Sequence, residues 1–315
     1  MNIELQAIAG PDGWPVPDCR CASCNRLRAA GTRHEPFRAR VDGVPLEECP
    51  RTRVAGGHDV SVPRGGGRIL VADGPGACPE PAPGVAYDAV LLDLVGRPEQ
   101  LGRLRREGAV TAATEIAAVH VDHRVASPGE LERRLGHWLR PPAGPFRTLL
   151  LGGSRSGKSA EAESRLMGCP DVTYVATGMV GDDDAEWSAR IEAHRGRRPP
   201  WWRTLETTDL TGVLGSAEGA LLVDGVGTWL AAVMDEARAW DDPSLAVPAV
   251  DALVAAWRGT AARVIAVSDE VGLSLVPETR SGRAFRDVLG SLNQRLAAES
   301  EEAALVVAGR VLELR

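Results

Sequence analysis

An α/β fold with a mainly parallel sheet is predicted from three features of the sequence. Residues 146–315 alternate short apolar runs with stretches of helical length, the pattern of strands joined by crossover helices. Leu149-Leu150-Leu151 runs straight into Gly152-Gly153-Ser154-Arg155-Ser156-Gly157-Lys158-Ser159, and Ala160-Glu161-Ala162-Glu163 continues as a helix. Arg140-Pro141-Pro142-Ala143-Gly144-Pro145 is a stiff linker that divides the chain into residues 1–145 and 146–315.

The chain's 315 residues suit about two domains. A hydrophobic share of 44% and a charged share of 25% are those of a globular protein able to bury a core. The net charge of −7 argues against a general nucleic-acid-binding surface. No apolar run reaches the length of a membrane span, and Met1-Asn2-Ile3-Glu4 lacks the basic and apolar character of a signal segment. A cytoplasmic enzyme is therefore expected.

In the N-terminal half, Ile3 to Ile8 alternates as a strand, and Gly10-Pro11-Asp12-Gly13 ends it. Cys19, Cys21 and Cys24 then present three thiols within six positions, whereas Cys49, Cys78 and Cys169 are scattered packing residues. Three thiolates need a fourth ligand to close a tetrahedral zinc site, and His120 or His123 beyond the apolar 116–119 stretch could supply it. Free thiols and solvated histidines are the alternative. Tyr87 to Val95 reads as a buried strand and Gly129 to Trp138 as a short amphipathic helix.

In the C-terminal half, strands are expected at Thr148–Leu151, Val172–Ala176, Ala220–Val223, Arg263–Val267, Ala304–Val307 and Val311–Leu314. Helices are expected at Lys158–Met167, Ala185–Arg195, within Val250–Gly259, and at Gly282–Glu299. Such sheets bind ligands beyond the carboxyl ends of their strands. The class is that of a P-loop NTPase with a mainly parallel, RecA-like sheet.

After the first of these strands stands G-x-x-x-x-G-K-S in its strand-then-helix context. Backbone N–H groups from Gly152 to Ser159 would curl around phosphates, with the helix N-terminus adding positive charge. Lys158 would reach the β- and γ-phosphates, and the Ser159 hydroxyl would ligate Mg²⁺. Asp224, ending Leu221-Leu222-Val223, suits the same ion, although a strand-end Asp also serves as a helix cap. Glu186, Arg190 and His194 share one helix face, with Arg195, Arg197 and Arg198 just beyond. A histidine beside three arginines could act on a phosphate as acid, base or nucleophile, or sit solvated on the surface.

Two resemblances extend this reading. Gly-Pro-Asp-Gly with C-x-C-x-x-C, and the late His120-x-x-His123, resemble the two ends of a metallo-β-lactamase-like phosphodiesterase domain. The resemblance implies a structural zinc on Cys19, Cys21, Cys24 and His123, with His120 matching a histidine of the catalytic metal pair. The hydrolase signature H-x-H-x-D-H is absent, and Thr32 to Gly84 reads as too short and too rich in Gly and Pro for the missing strands and ligands. Residues 1–145 are thus expected to be a smaller, truncated and degenerate α/β domain without hydrolase activity.

The second resemblance spans residues 146–315. Gly-Gly-Ser-Arg-Ser-Gly-Lys-Ser, Val175-Ala176-Thr177, Arg190-Ile191-x-x-His194-Arg195, Arg198-Pro199-x-x-Trp202-Arg203-Thr204-x-Glu206, Glu270-Val271-Gly272, Val276-Pro277, Arg283-x-Phe285-Arg286-Asp287 and Asn293-Gln294-x-Leu296-Ala297 occur in order. They resemble the bifunctional adenosylcobinamide kinase/adenosylcobinamide-phosphate guanylyltransferase family. The resemblance implies phosphorylation of adenosylcobinamide with ATP or GTP, then transfer of GMP from GTP through His194. It implies guanine nucleotide contacts at the phosphate loop, Ala176, Thr177, Gly178, Arg195, Gly196, Arg197, Arg198, Glu206 and Asp224, and a homo-oligomer. The family reads Ser-Asn-Glu-Val-Gly where this chain has Ser268-Asp269-Glu270-Val271-Gly272, and Asp-Cys-Leu-Thr where it has Asp224-Gly225-Val226-Gly227 with Thr228 displaced by one place. These departures would permit a nucleotide-binding regulatory or assembly protein, and a kinase for another alcohol, with His194 only binding phosphate, is a third reading.

Overall fold

The computed structural model describes residues 1–63, 65–178 and 196–314. They form two compact units, Met1–Pro141 with Met167–Pro170, and Pro142–Leu166 with Asp171–Arg315.

The first unit contains two sheets. Strands β1 (Ile3–Ala7), β2 (Arg38–Val41) and β3 (Val44–Pro45) form an antiparallel three-stranded sheet. Strands β4 (Arg51–Val54), β5 (Gly57–Ser61), β6 (Arg68–Ala72), β7 (Ala89–Leu92) and β8 (Glu115–Ala118) form the second sheet in that order. Its first three strands pair antiparallel and β6, β7 and β8 pair parallel. The sequence expectation for residues 32–84 is corrected here, because β2 to β6 all lie inside that stretch. The strand expected over 87–95 is confined to β7, and Asp93 just beyond it is fully buried.

Helix α1 (Ala22–Ala29) is capped by Cys21, whose sulfur accepts from the Cys24 amide. Helix α2 (Glu99–Arg106) follows β7, and α3 (Pro128–Leu139) starts with Ser127 accepting from the Glu130 amide and proline at its first position. Val41, Ile69, Val71, Leu91 and Val119 form one apolar cluster; Leu70, Leu92, Leu101, Leu104 and Trp138 form another.

The second unit is built on one sheet of β9 (Phe146–Gly152), β10 (Val172–Ala176), β11 (Arg203–Glu206), β12 (Ala220–Asp224), β13 (Arg263–Asp269), β14 (Glu302–Val307) and β15 (Arg310–Leu314). The spatial order is β11-β10-β12-β13-β9-β14-β15, parallel throughout except for the closing β14–β15 hairpin. Residues 149–152 and 263–268 are buried without alternation, as strands covered on both faces must be.

Helix α4 (Lys158–Leu166) follows the phosphate loop. Helices α5 (Leu210–Ser216), α6 (Val226–Glu236), α7 (Val247–Gly259) and α8 (Arg280–Ala298) complete the described crossovers. Leu149, Val223, Trp229, Leu230, Leu253, Trp257, Leu289 and Leu296 meet in the core of this unit. Edge strand β11 and helices α5 and α6 lie outside the sequence-derived set. The helix expected at 185–195 falls outside the described residues. Among the described residues, no helix is long and apolar enough to cross a membrane.

Candidate active site

Parallel registry gathers the C-terminal unit's site residues along one edge of its sheet. Glu206 on β11 stands opposite Ala176 on β10, Ala176 opposite Asp224 on β12, and Asp269 on β13 opposite Gly152 on β9. The loop from Gly153 to Gly157 rises at this edge because β9 ends there and α4 starts.

Two glycines, one ending β9 and one closing the loop, are required by space. A side-chain carbon on Gly152 would stand 2.5 Å from Ser156 Oγ and 2.6 Å from the Val306 carbonyl oxygen. Gly157 has φ +99°, and a side chain there would press on Gly309 at 3.2 Å. Arg155 takes φ +57° at the loop tip, a conformation costly for a side-chain-bearing residue. The Gly309 amide donates to the Ser156 carbonyl at 2.8 Å and ties the loop to the β14–β15 turn.

Lys158 is nearly buried, at 7% exposure, so its charge must be met locally. Its Nζ donates to the Gly153 carbonyl at 3.1 Å and lies 2.8 Å from Asp269 Oδ1. The next residue, Ser159, donates from Oγ to Asp224 Oδ1 at 3.2 Å. The other oxygen of Asp224, Oδ2, accepts from the Tyr174 hydroxyl. Burial, followed by the Asp224 charge, pushes the Tyr174 phenol upward from its ordinary ionisation range. It therefore remains a donor.

The arginines beyond the sheet edge are held in different ways. Arg197 donates from Nε and Nη2 to the buried carboxylate of Glu163 on α4, at 2.8 and 3.3 Å. That hydrogen bond raises the arginine's already high pKa and fixes its charge at this place. The Arg198 guanidinium carbon lies 3.7 Å from the Tyr174 ring centroid, and its Nη1 donates to Thr204 Oγ1 at 3.2 Å. Gly196 opens this described stretch, whereas His194 and Arg195 lie outside the described residues.

Thr177 is almost fully buried, and its hydroxyl donates to the Gly225 carbonyl at 2.6 Å and meets Thr228 Oγ1 at 2.6 Å. Its side chain thus staples β10 to the turn before α6. Glu206 is exposed at the end of β11. Tyr174 and Glu163 belong to the site by contact but were not singled out from sequence. Tyr174 is hidden inside an apolar strand and Glu163 inside an ordinary helix.

In the N-terminal unit, ligand atoms of Cys19, Cys21, Cys24 and His123 all lie within 4.8 Å of one another. His123 Nδ1 is 3.7 Å from Cys24 Sγ. His120 has a different neighbourhood: its Nε2 meets the Ala72 carbonyl oxygen at 2.9 Å and its ring packs edge-on to Phe37. Three thiols and one imidazole this close match the donor set and spacing of a tetrahedral zinc site, where sulfur–metal distances are about 2.3 Å. Buried Asp93 accepts from both terminal nitrogens of Arg124, at 2.8 and 3.1 Å, and from the Gly96 amide at 3.1 Å.

The chain was compared with known proteins. The profile of the family described as cobinamide kinase / cobinamide phosphate guanyltransferase (CobU) matches residues 148–314. The bifunctional adenosylcobalamin biosynthesis protein CobU of Salmonella typhimurium is 37% identical over 174 residues, covering 51% of this chain and 95% of that protein. Its Escherichia coli counterpart is 38% identical over 174 residues, with the same coverage. The bifunctional adenosylcobalamin biosynthesis protein CobP of Pseudomonas aeruginosa is 39% identical over 179 residues, covering 54% of this chain and 98% of that protein. The phosphate loop, the Asp224 edge and all of the β9–β15 sheet from Thr148 onward fall inside the matched region, and the chain belongs to the cobinamide kinase / cobinamide phosphate guanyltransferase family.

Proposed function

We propose that residues 146–315 catalyse two successive transfers: phosphorylation of adenosylcobinamide by ATP or GTP, then guanylyl transfer from GTP to give adenosylcobinamide-GDP. The observation that carries the reading is the meeting of Lys158, Ser159 and Asp224 at one sheet edge, within the span matched by the family.

Ser159 Oγ and Asp224 Oδ1 are hard oxygen donors 3.2 Å apart, a fitting pair for Mg²⁺. The ion, when bound, neutralises charge on the β- and γ-phosphate oxygens. The chain's own part is positioning. Loop amides from Gly153 to Ser159 hold the phosphates, and Lys158 moves its charge from Asp269 onto them. The corrinoid hydroxyl attacks the γ-phosphorus, its bond to the β-bridging oxygen breaks, and the hydroxyl proton leaves to solvent. In the second transfer, a neutral nitrogen of His194 attacks the α-phosphorus of GTP and pyrophosphate leaves. The phosphate of the first product then displaces the histidine. Arg197 and Arg198 are suited to balance charge on these phosphates.

His194→Ala tests the assignment. GTP labelled at the α-phosphate should leave acid-labile, alkali-stable label on the wild-type protein and none on the variant, while phosphorylation of adenosylcobinamide persists. Wild-type formation of adenosylcobinamide-GDP by the variant would remove His194 as the nucleophile.

For residues 1–145 the reading is a degenerate metallo-β-lactamase-like domain, with Cys19, Cys21, Cys24 and His123 holding one structural zinc. The proximity of the four donors supports it.

A further inference from the structure

We propose that Tyr174 is a positioning residue serving both transfers: its hydroxyl fixes the carboxylate of Asp224, and its ring seats the guanidinium of Arg198. The proposal rests on the reading of Ser159 and Asp224 as the Mg²⁺ pair and of Arg198 as a nucleotide contact.

The geometry follows from strand registry. Tyr174 on β10 stands opposite Leu222 on β12, two residues before Asp224. Side chains two apart on a strand share a face, so the phenol reaches diagonally to the carboxylate. Asp224 then accepts from Ser159 on Oδ1 and from Tyr174 on Oδ2. Donors on opposite oxygens prevent rotation of the carboxylate and keep Oδ1 turned to the phosphate loop. Tyr174 is 5% exposed, so water cannot readily replace the phenol as the second donor.

The ring does separate work. Arg198 lies over its face at 3.7 Å and is tied to Thr204 on β11. A guanidinium resting on an aromatic face is held in one plane and loses less freedom when its edge turns to phosphate oxygens. One side chain thereby links the two parts of the site through a continuous run of contacts: Ser159, Asp224, Tyr174, Arg198, Thr204.

Two substitutions separate the roles. Tyr174→Phe keeps the ring and removes the hydroxyl, whereas Tyr174→Leu removes both. Mn²⁺ binding to the full-length protein with the β,γ-imido analogue of GTP is read by electron paramagnetic resonance. Analogue affinity is measured separately in EDTA. Y174F should weaken Mn²⁺ binding about tenfold, because the half-buried Asp224 carboxylate loses the donor that holds its Oδ2, and leave analogue affinity in EDTA at the wild-type value. Y174L should weaken Mn²⁺ binding at least as much and lower analogue affinity in EDTA by about two- to fivefold through loss of the arginine's seat. Y174F binding Mn²⁺ like wild type would overturn the first role. Equal analogue affinity in Y174F and Y174L would overturn the second. Asp224→Asn in the same Mn²⁺ assay reports on the underlying metal reading: if it leaves Mn²⁺ binding intact, that reading falls and the proposal with it.

Discussion

Lys158 Nζ lies 2.8 Å from Asp269 Oδ1, so the phosphate-loop cation is matched to a carboxylate at the position where the resemblance implies an amide. A side-chain carbon on Gly227 would stand 3.0 Å from Asp269 Oδ2, which puts the second departure against the first. The threonine that the resemblance implies at 227 would need that carboxylate to give by a few tenths of an ångström. Glycine at 227 leaves it room, and Thr228 turns its hydroxyl to Thr177 and the Gly225 carbonyl instead. The two departures thus stand side by side at the site rim.

Asp269→Asn should tighten nucleotide binding. The phosphates must draw Lys158 away from Asp269, and an amide holds an ammonium less strongly than a carboxylate does. Asp269 is 44% exposed, so solvent screens the pair, and the gain is expected to be about three- to tenfold in Kd for GTP with Mg²⁺. Titration calorimetry reads it directly. Weaker binding in the variant would mean that Asp269 helps to place the lysine instead of competing for it.

The zinc reading predicts about one equivalent of zinc in protein expressed with the metal. Chelation should lower the thermal midpoint of the N-terminal unit and leave nucleotide binding by the C-terminal unit unchanged. His123→Ala should release the metal, whereas His120→Ala, whose ring faces Ala72, should retain it. Zinc retained by H123A and lost from H120A would reassign the fourth ligand.

What was legible in the sequence divides along physical lines. Strands β9, β12 and β13 were visible because parallel strands buried on both faces need unbroken apolar runs such as Leu149–Leu151 and Leu221–Val223. The phosphate loop was visible because its glycines are required by close backbone approach. Strands β2 to β6 were not read from the sequence, the apolar β6 being passed over among the Gly and Pro residues around it. Arg51-Thr52-Arg53-Val54 carries little apolar signal, since its side chains are exposed or half-buried and pairing comes from backbone hydrogen bonds. Edge strand β11, Arg203-Thr204-Leu205-Glu206, fails for the same reason. Helix α6 was masked by Gly225 and Gly227, which read as loop residues. Tyr174 reads as one more apolar strand residue until registry brings it to Asp224.

A pH effect on stability is expected from Glu301. Its carboxylate accepts from the Arg147 side chain and from the Arg147 amide at 2.6 Å, which joins the start of β9 to the turn before β14. The Arg147 hydrogen bonds hold the Glu301 pKa down to about 2, against about 4.3 in an unfolded chain. A depressed carboxylate stabilises the fold fully above the unfolded value, and the contribution fades as pH falls toward 2. With Glu301 one-third exposed, about 1–2 kcal/mol is reasonable after screening. Glu301→Gln should lower Tm at pH 7 by a few degrees, and the gap to wild type should close between about pH 4.5 and pH 2. An unchanged gap at pH 2.5 would contradict the assignment.

Lys158→Ala should abolish both transfers in a protein that still folds. Its partner Asp269 is 44% exposed, so removing the lysine strands no buried charge, and Gly153 loses only an acceptor contact at the loop surface. Both reactions develop charge on phosphate oxygens that Lys158 is placed to meet, and losing one such fixed donor costs about 10²–10³ in rate. The double variant Lys158→Ala/Asp269→Asn sharpens the test. If Asp269 acts on nucleotide binding only by holding Lys158, replacing it has no further effect once the lysine is gone. The tightening expected for D269N alone should therefore vanish in the K158A background, a coupling that a double-mutant cycle in Kd for GTP with Mg²⁺ measures. Should D269N tighten binding equally in both backgrounds, the carboxylate is repelling the phosphates directly and the Lys158–Asp269 pair is incidental to it.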